Sequence, residues 1–278
     1  MNKVEFLPQV GKMNKVEFLP QVGKMNKIEF LPQVGGDGQN RIPATGRGEP
    51  ARDFCHNRGG TREREADEVT RYAETSCAEF TEKLASESPV PGGGGAAALA
   101  GALGVALGNM VGSLTAGRER YADVAGEIAS LDARAAELEE QLLDAIDADA
   151  AAFEALSRTW GMPKGTDAEI AARKSAVQSA LARAAEPPLG IMEAAREGID
   201  LCGRYAEIGS SQVVSDAGCG AALSRGALEA GWLNVLANTH SLDDREAAAA
   251  IEERARELLG TGRARADEVF ALVEGRLS

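Results

Sequence analysis

Histidine, cysteine, aromatic side chains and positive charge are all scarce in this 278-residue chain. With two histidines, His56 and His240, a histidine-rich metal site or a Ser-His-Asp triad would have to be built around one of them. The four cysteines, Cys55, Cys77, Cys202 and Cys219, form no CxxC pair, so neither a metal knuckle nor a disulfide scaffold is indicated. Aromatic residues make up 4%, which leaves few platforms for stacking bases. Acidic side chains outnumber basic ones by 43 to 30, giving a formal charge of −13 and a pI near 4.8. Phosphate backbones are held by basic surfaces, so nucleic acid is excluded as a partner class. Met1–Lys12 lacks the unbroken apolar core of a secretory signal, which points to a soluble cytoplasmic protein.

What the chain does have is apolar residues, 44% of the total and dominated by alanine and glycine. A core of such residues brings backbones close together. Three segments differ in texture. Residues 1–36 are a triplicated 12-residue unit, MNKVEFLPQVGK twice and then MNKIEFLPQVGG. Five of the eight lysines lie there, whereas all 22 arginines follow it. Residues 37–64, rich in Gly, Pro, Asn and Arg, read as a disordered linker. Residues 65–278 carry helical periodicity and no alternating strand pattern. The expected fold is all-α, a multi-helix bundle behind a disordered N-terminal extension. Its expected helices span about 65–85, 96–116, 121–157, 167–185, 187–209, 216–238 and 241–276. The reading places a flexible loop at Gly92-Gly93-Gly94-Gly95 and a break in the last helix near Gly260–Gly262.

Between Glu87 and Arg118 there is no charge, and Ala96–Ala116 has the length of a membrane span. Gly101, Gly104, Gly108 and Gly112 recur on one face, as in closely packed helices. With polar Asn109, Ser113 and Thr115 and no aromatic belt, the segment reads as a buried bundle helix, with no membrane partner.

Chemistry is suggested at three places. The apolar seam Ile128, Leu131, Ala135, Leu138, Leu142, Ile146 continues through Asp149 to Phe153 in steps of three or four. Asp149 therefore faces the core, where a lone carboxylate costs several kcal/mol unless partnered. It is either a functional acid or a structural one capping a neighbouring helix or pairing with an arginine. Asp147 lies about 160° away around the helix and faces elsewhere. Ser215 or Asp216 suits a helix N-cap. Asn234 and Asn238 end an otherwise small, apolar stripe, where they either bind a buried polar ligand or satisfy helix ends. In Pro89-Val90-Pro91-Gly92-Gly93-Gly94-Gly95, glycines precede a helix start that can offer N–H groups to an anion or a carbonyl. No Walker lysine follows and no strand precedes, so nucleotide-binding loops are excluded. Arg118, Arg120 and Tyr121 close the same helix.

Five segments, in order, resemble the formimidoyltetrahydrofolate cyclodeaminase and methenyltetrahydrofolate cyclohydrolase family of folate one-carbon enzymes. They are FTEKLASESPVPGGGG (residues 80–95), GALGVALGNMVGSLTAGRERY (101–121), LDAIDADAAAF (143–153), SDAG (215–218) and the Asn234-Val235…Asn238 stretch. Gly95 stands where the family loop has serine, and Arg118-Glu119-Arg120 replaces a lysine run. Ser210 and Gln212 stand where asparagines are usual.

The resemblance implies a homodimer formed through helices, a tetrahydrofolate derivative as substrate, and neither metal nor cofactor. It implies Asp149 and Asp216 as catalytic carboxylates. It implies Pro91, Gly92, Gly93, Gly94, Arg118, Tyr121, Asn234 and Asn238 as substrate-binding residues. The reaction expected is interconversion of 5-formimino-, 5,10-methenyl- and 10-formyl-tetrahydrofolate. The alternative is a non-catalytic helical dimer that binds a folate-like ligand or a partner protein.

Overall fold

The computed structural model describes residues 71–278; the triplicated leader, the whole linker and the first six residues of the helix expected over 65–85 lie outside them. Among the described residues there are helices and no strands. The α-helices are α1 (Cys77–Leu84), α2 (Gly93–Thr115), α3 (Ala125–Trp160), α4 (Asp167–Ala184), α5 (Glu186–Ile208), α6 (Val214–Thr239) and α7 (Arg245–Leu277).

At the centre, α2 packs on α6, α3 and α5, while α7 closes the far side against α5 and α6. The α2/α6 contact is close enough to exclude side chains. A Cβ on Gly104 would stand 2.7 Å from the Gly220 carbonyl oxygen, and one on Gly220 would stand 2.5 Å from that of Gly104. At Gly104 the predicted glycine stripe is therefore a backbone-on-backbone contact, while Gly108 and Gly112 make room for side chains, Cys202 and Tyr205 of α5 and Asp132 of α3. α3 lays its predicted apolar seam into the bundle: Ile128, Ala135, Leu138, Leu142 and Ile146 are all buried. Each large side chain so buried contributes roughly 1.5–3 kcal/mol. Tyr205 of α5, fully buried, donates its hydroxyl to Asp132 of α3 at 2.7 Å, so its one polar atom stays partnered. A smaller apolar cluster of Leu156, Ala180, Leu181, Leu242 and Ala248 sits apart, where α3, α4 and the start of α7 meet.

Four expectations are corrected. The first helix does not run unbroken to Ala85. Ser76 interrupts it with a capping box, its side chain accepting from the Glu79 N–H while Glu79 accepts from the Ser76 N–H. The expected flexible glycine loop is largely helix, since α2 begins at Gly93. The break near Gly260–Gly262 is absent and α7 is continuous. Gly262 is a packing glycine whose missing Cβ leaves room for the Leu228 side chain. Finally, α6 begins at Val214 after a 3-10 turn over Ser211–Val213, so Ser215 and Asp216 lie within its first turn and do not cap it.

α2 is long and apolar enough to cross a membrane by length and composition, yet half of its most apolar window is buried in the bundle. Its outer face is also apolar. Leu103 is 52% exposed and Met110 47%, and on the adjoining face of α6 Leu233 is 66% exposed.

Candidate functional site

The site grows from an unusual helix start. Gly92 has no side chain to cap α2, and the first N–H groups of any helix lack intrahelical partners. Here another helix meets the need: Asp149, carried by α3, sets its carboxylate against the first turn of α2, where the Gly95 N–H favours its charged form. The same N-terminus bears the positive end of the helix dipole, which favours a carboxylate there. Burial nevertheless outweighs that N–H and pushes the Asp149 carboxyl above the ordinary aspartate range. Of the two readings left open by its spacing, the structural one is met. Its carboxylate meets the start of a neighbouring helix, and it also lines an open cleft.

That cleft has a volume of about 530 Å³, a size that suits a small organic molecule. Gly92, Gly93, Asp149, Phe153, Asn234 and Asn238 line it, with Leu156, Trp160, Val177 and Leu181 forming its apolar wall. Asp149 is the single charged side chain among these lining residues. Gly93 packs beside Asn234, with 3.3 Å between the amide nitrogen and the position of an added Cβ. Asn234 spends its N–H on the Ala230 carbonyl at 2.9 Å. Asn238 donates to the carbonyls of Ala184 (2.8 Å) and Asn234 (3.1 Å), tying the end of α6 to the end of α4. Asn238 satisfies a helix end, whereas Asn234 bonds back within its own helix, and both line the cleft with an amide. Pro91 and Gly94 are buried directly beneath it.

Other predicted site residues lie elsewhere. α2 and α6 run antiparallel, so Arg118, Tyr121 and Asp216 gather at the opposite end of this helix pair. Arg118 there donates to Ser210 Oγ (3.3 Å) and Gln212 Oε1 (3.0 Å), and Arg120 stacks on the Tyr121 ring at 4.5 Å. Eighteen residues of α6 separate Asp216 from Asn234, about 27 Å at 1.5 Å per residue. Asp147 turns away from the cleft as its spacing predicts, accepting the Tyr72 N–H at 2.9 Å.

The cleft wall was missed as a functional feature although its signal is in the sequence. Asp149, Phe153, Leu156 and Trp160 follow one another at steps of four, three and four on one face of α3. Phe153 and Trp160 meet edge to face at 5.9 Å, in a chain with few aromatics. Among the described residues no three His, Cys, Asp or Glu side chains are gathered as they would be to hold a metal ion.

Fold and site together define an all-α bundle protein with a small-molecule cleft, in which an acid of one helix faces the ligand space beside the glycine-built start of another. Comparison with known proteins places it further. The formiminotransferase-cyclodeaminase family model matches residues 76–257. Methenyltetrahydrofolate cyclohydrolase of Methylorubrum extorquens is 42% identical over 181 residues, which are 65% of this chain and 86% of that protein. Formimidoyltransferase-cyclodeaminase of Sus scrofa is 31% identical over 203 residues, 71% of this chain but only 36% of the longer protein. The crystal structure of formiminotetrahydrofolate cyclodeaminase from Thermotoga maritima superposes with a TM-score of 0.67 at 25% identity, covering 74% of this chain and 98% of that one. The chain belongs to the formiminotransferase-cyclodeaminase family.

Proposed function

We propose that this protein is a folate one-carbon enzyme acting at the 5-formimino-, 5,10-methenyl- and 10-formyl-tetrahydrofolate stage, as a methenyltetrahydrofolate cyclohydrolase or a formimidoyltetrahydrofolate cyclodeaminase. The observation that carries this reading is the half-buried Asp149 carboxylate facing an otherwise uncharged cleft, in a chain 42% identical to a cyclohydrolase. That identity, and the nearly full length of the relative it spans, favour the methenyl form as principal substrate.

The chemistry suits one carboxylate. In cyclohydrolysis, water adds to the methenyl carbon between N5 and N10 and loses a proton. The resulting tetrahedral carbon then releases N5, leaving the formyl group on N10. In cyclodeamination, N10 attacks the formimino carbon and ammonia departs with a proton. In both, Asp149 balances the delocalised cation and exchanges the proton, an effect worth ~10²–10⁴ in rate. A carboxyl with a raised pKa is a better base than an ordinary aspartate. Gly92, Gly93, Asn234 and Asn238 present backbone and amide groups to the pterin.

The same reading includes a cytoplasmic homodimer. The outer apolar face of α2 and α6 is the surface that a second copy would cover. A two-fold axis running across these antiparallel helices sets the Arg118–Tyr121–Asp216 end of one copy over the Asp149 cleft of the other. Asp216 would then join Asp149 at a shared site.

Purified protein mixed with 5,10-methenyltetrahydrofolate tests the function directly. Loss of the near-ultraviolet methenyl absorbance is expected, and Asp149→Asn should slow it by about 10²–10⁴. Saturable folate binding without turnover would establish the non-catalytic alternative instead.

A further inference from the structure

Within one chain no cation lines the cleft holding Asp149, whereas a folate ends in a glutamate with two carboxylates. Beyond the cleft's outer wall lies a second hollow, of about 490 Å³, lined by Trp160, Lys164, Ile170, Arg173, Lys174 and Val177. Trp160 and Val177 belong to both. The second hollow has three cations and no acid in its lining, the reverse of the first, in a protein of strongly negative charge. Together the two hollows form a trough along α3 and α4. Its inner end is acidic and its outer end basic, with an exposed indole at the junction.

The residues of this outer lobe hold distinct positions. Arg173 is anchored: it donates to the carbonyls of Thr159 (3.2 Å) and Trp160 (3.3 Å), closing the C-terminus of α3. Lys174 pairs with Asp243 at 2.8 Å on the surface. Lys164 stands on the α3–α4 connection and has no acidic partner among the described residues. Trp160 and Ile170 are more than half exposed, which for large apolar side chains beside a cleft is surface available to a ligand. From Asp149 to Trp160 is eleven residues of α3, about 16 Å. A ligand with a cationic carbon at Asp149 and an aromatic spacer along Phe153 and Trp160 would deliver its far end to the lysines.

We propose that the Lys164–Arg173–Lys174 lobe is the subsite for the glutamate carboxylates of the folate tail, with Trp160 packing on the aminobenzoyl spacer. The assignment rests on the folate reading above and extends it to residues outside the five motifs. The trough orients the substrate, since the opposite orientation would set carboxylates against Asp149 and the cationic carbon against three positive charges.

The test compares methenyltetrahydrofolate with methenyltetrahydropteroate, which lacks the glutamate, in the full chain. KM is expected to be lower for the glutamate form. In a Lys164→Ala/Lys174→Ala variant that preference should shrink by about fivefold, as expected for partly exposed charge pairs. Lys164→Glu/Lys174→Glu should reverse it. Equal KM values for the two compounds in the wild type, or a preference that survives charge reversal, would overturn the subsite while leaving the enzyme reading intact. Turnover of neither compound would overturn both. Circular dichroism of each variant separates a lost subsite from a lost fold.

Discussion

The Asp149 carboxylate occupies the space that a side chain on Gly94 would need. A Cβ built there would overlap both carboxylate oxygens. The glycine start of α2 and the acid of α3 thus share one space, and Gly94 cannot be enlarged while the carboxylate stays. Gly94→Ala should displace the carboxylate, destabilise the fold by about 1–3 kcal/mol and lower kcat/KM by about a hundredfold. Adding Asp149→Ala should restore the urea midpoint and leave activity absent. Full activity in Gly94→Ala would show that the carboxylate's position does not matter.

The raised pKa of Asp149 has two signatures of opposite benefit. As a base the group works ionised, so kcat/KM should rise with pH through an inflection above the ordinary aspartate value and then level off. For stability the sign reverses. A carboxyl whose folded pKa lies above its unfolded value favours the protonated fold, so its contribution is present at low pH and lost as pH rises through the folded pKa. Asp149→Asn should therefore lose about 10²–10⁴ in rate and yet be at least as stable as wild type at neutral pH. That advantage should fade in acid, as chemical denaturation at pH 4 and pH 7 would show.

The exposed apolar face of α2 and α6 predicts a dimer that charge would break. Leu103→Lys with Leu233→Lys should sediment as a monomer where wild type sediments as a dimer, with secondary structure retained. If the site is shared, mixing Asp149→Asn and Asp216→Asn subunits should recover about one quarter of wild-type activity, because half of randomly paired dimers then hold one intact site. No recovery would confine each site to its own chain.

Cysteine labelling reads the same interface at native thiols. Cys77 and Cys219 are exposed in the protomer, and Cys219 lies on the apolar face of α6. Burial pushes the Cys202 thiol up to about 12, beside the Gly104 carbonyl oxygen at 3.6 Å. In native protein Cys77 should react with a thiol reagent within minutes, and Cys202 only after unfolding. Cys219 should react slowly in the dimer and fast in the lysine variant. Mass spectrometry of the labelled peptides distinguishes the three.

Much of this was legible in the sequence because helical spacing carries it. The seam that buries Leu138, Leu142 and Ile146 also delivers Asp149 to the cleft, and the turn beyond it carries Phe153 and Trp160. The helical start at Gly93 was not legible. Glycine is among the poorest helix formers, and this turn is held by tertiary contacts, the Asp149 carboxylate above and α6 alongside. Gly262 misled for a related reason: it breaks nothing because the Leu228 side chain needs its space. The separation of Asp216 from Asp149 was equally hidden. Motif order places SDAG and the asparagines at opposite ends of one helix, but only the packing of α6 on α2 shows that the asparagine end is the one that meets Asp149.

The satellite cluster of Leu156, Ala180, Leu181, Leu242 and Ala248 supports the cleft wall yet stands clear of the central glycine seam. Replacements there can reshape the ligand's berth without disturbing the tight crossing that keeps the molecule folded. The wall that shapes the ligand space and the crossing that sets the frame are thus separable parts of one bundle.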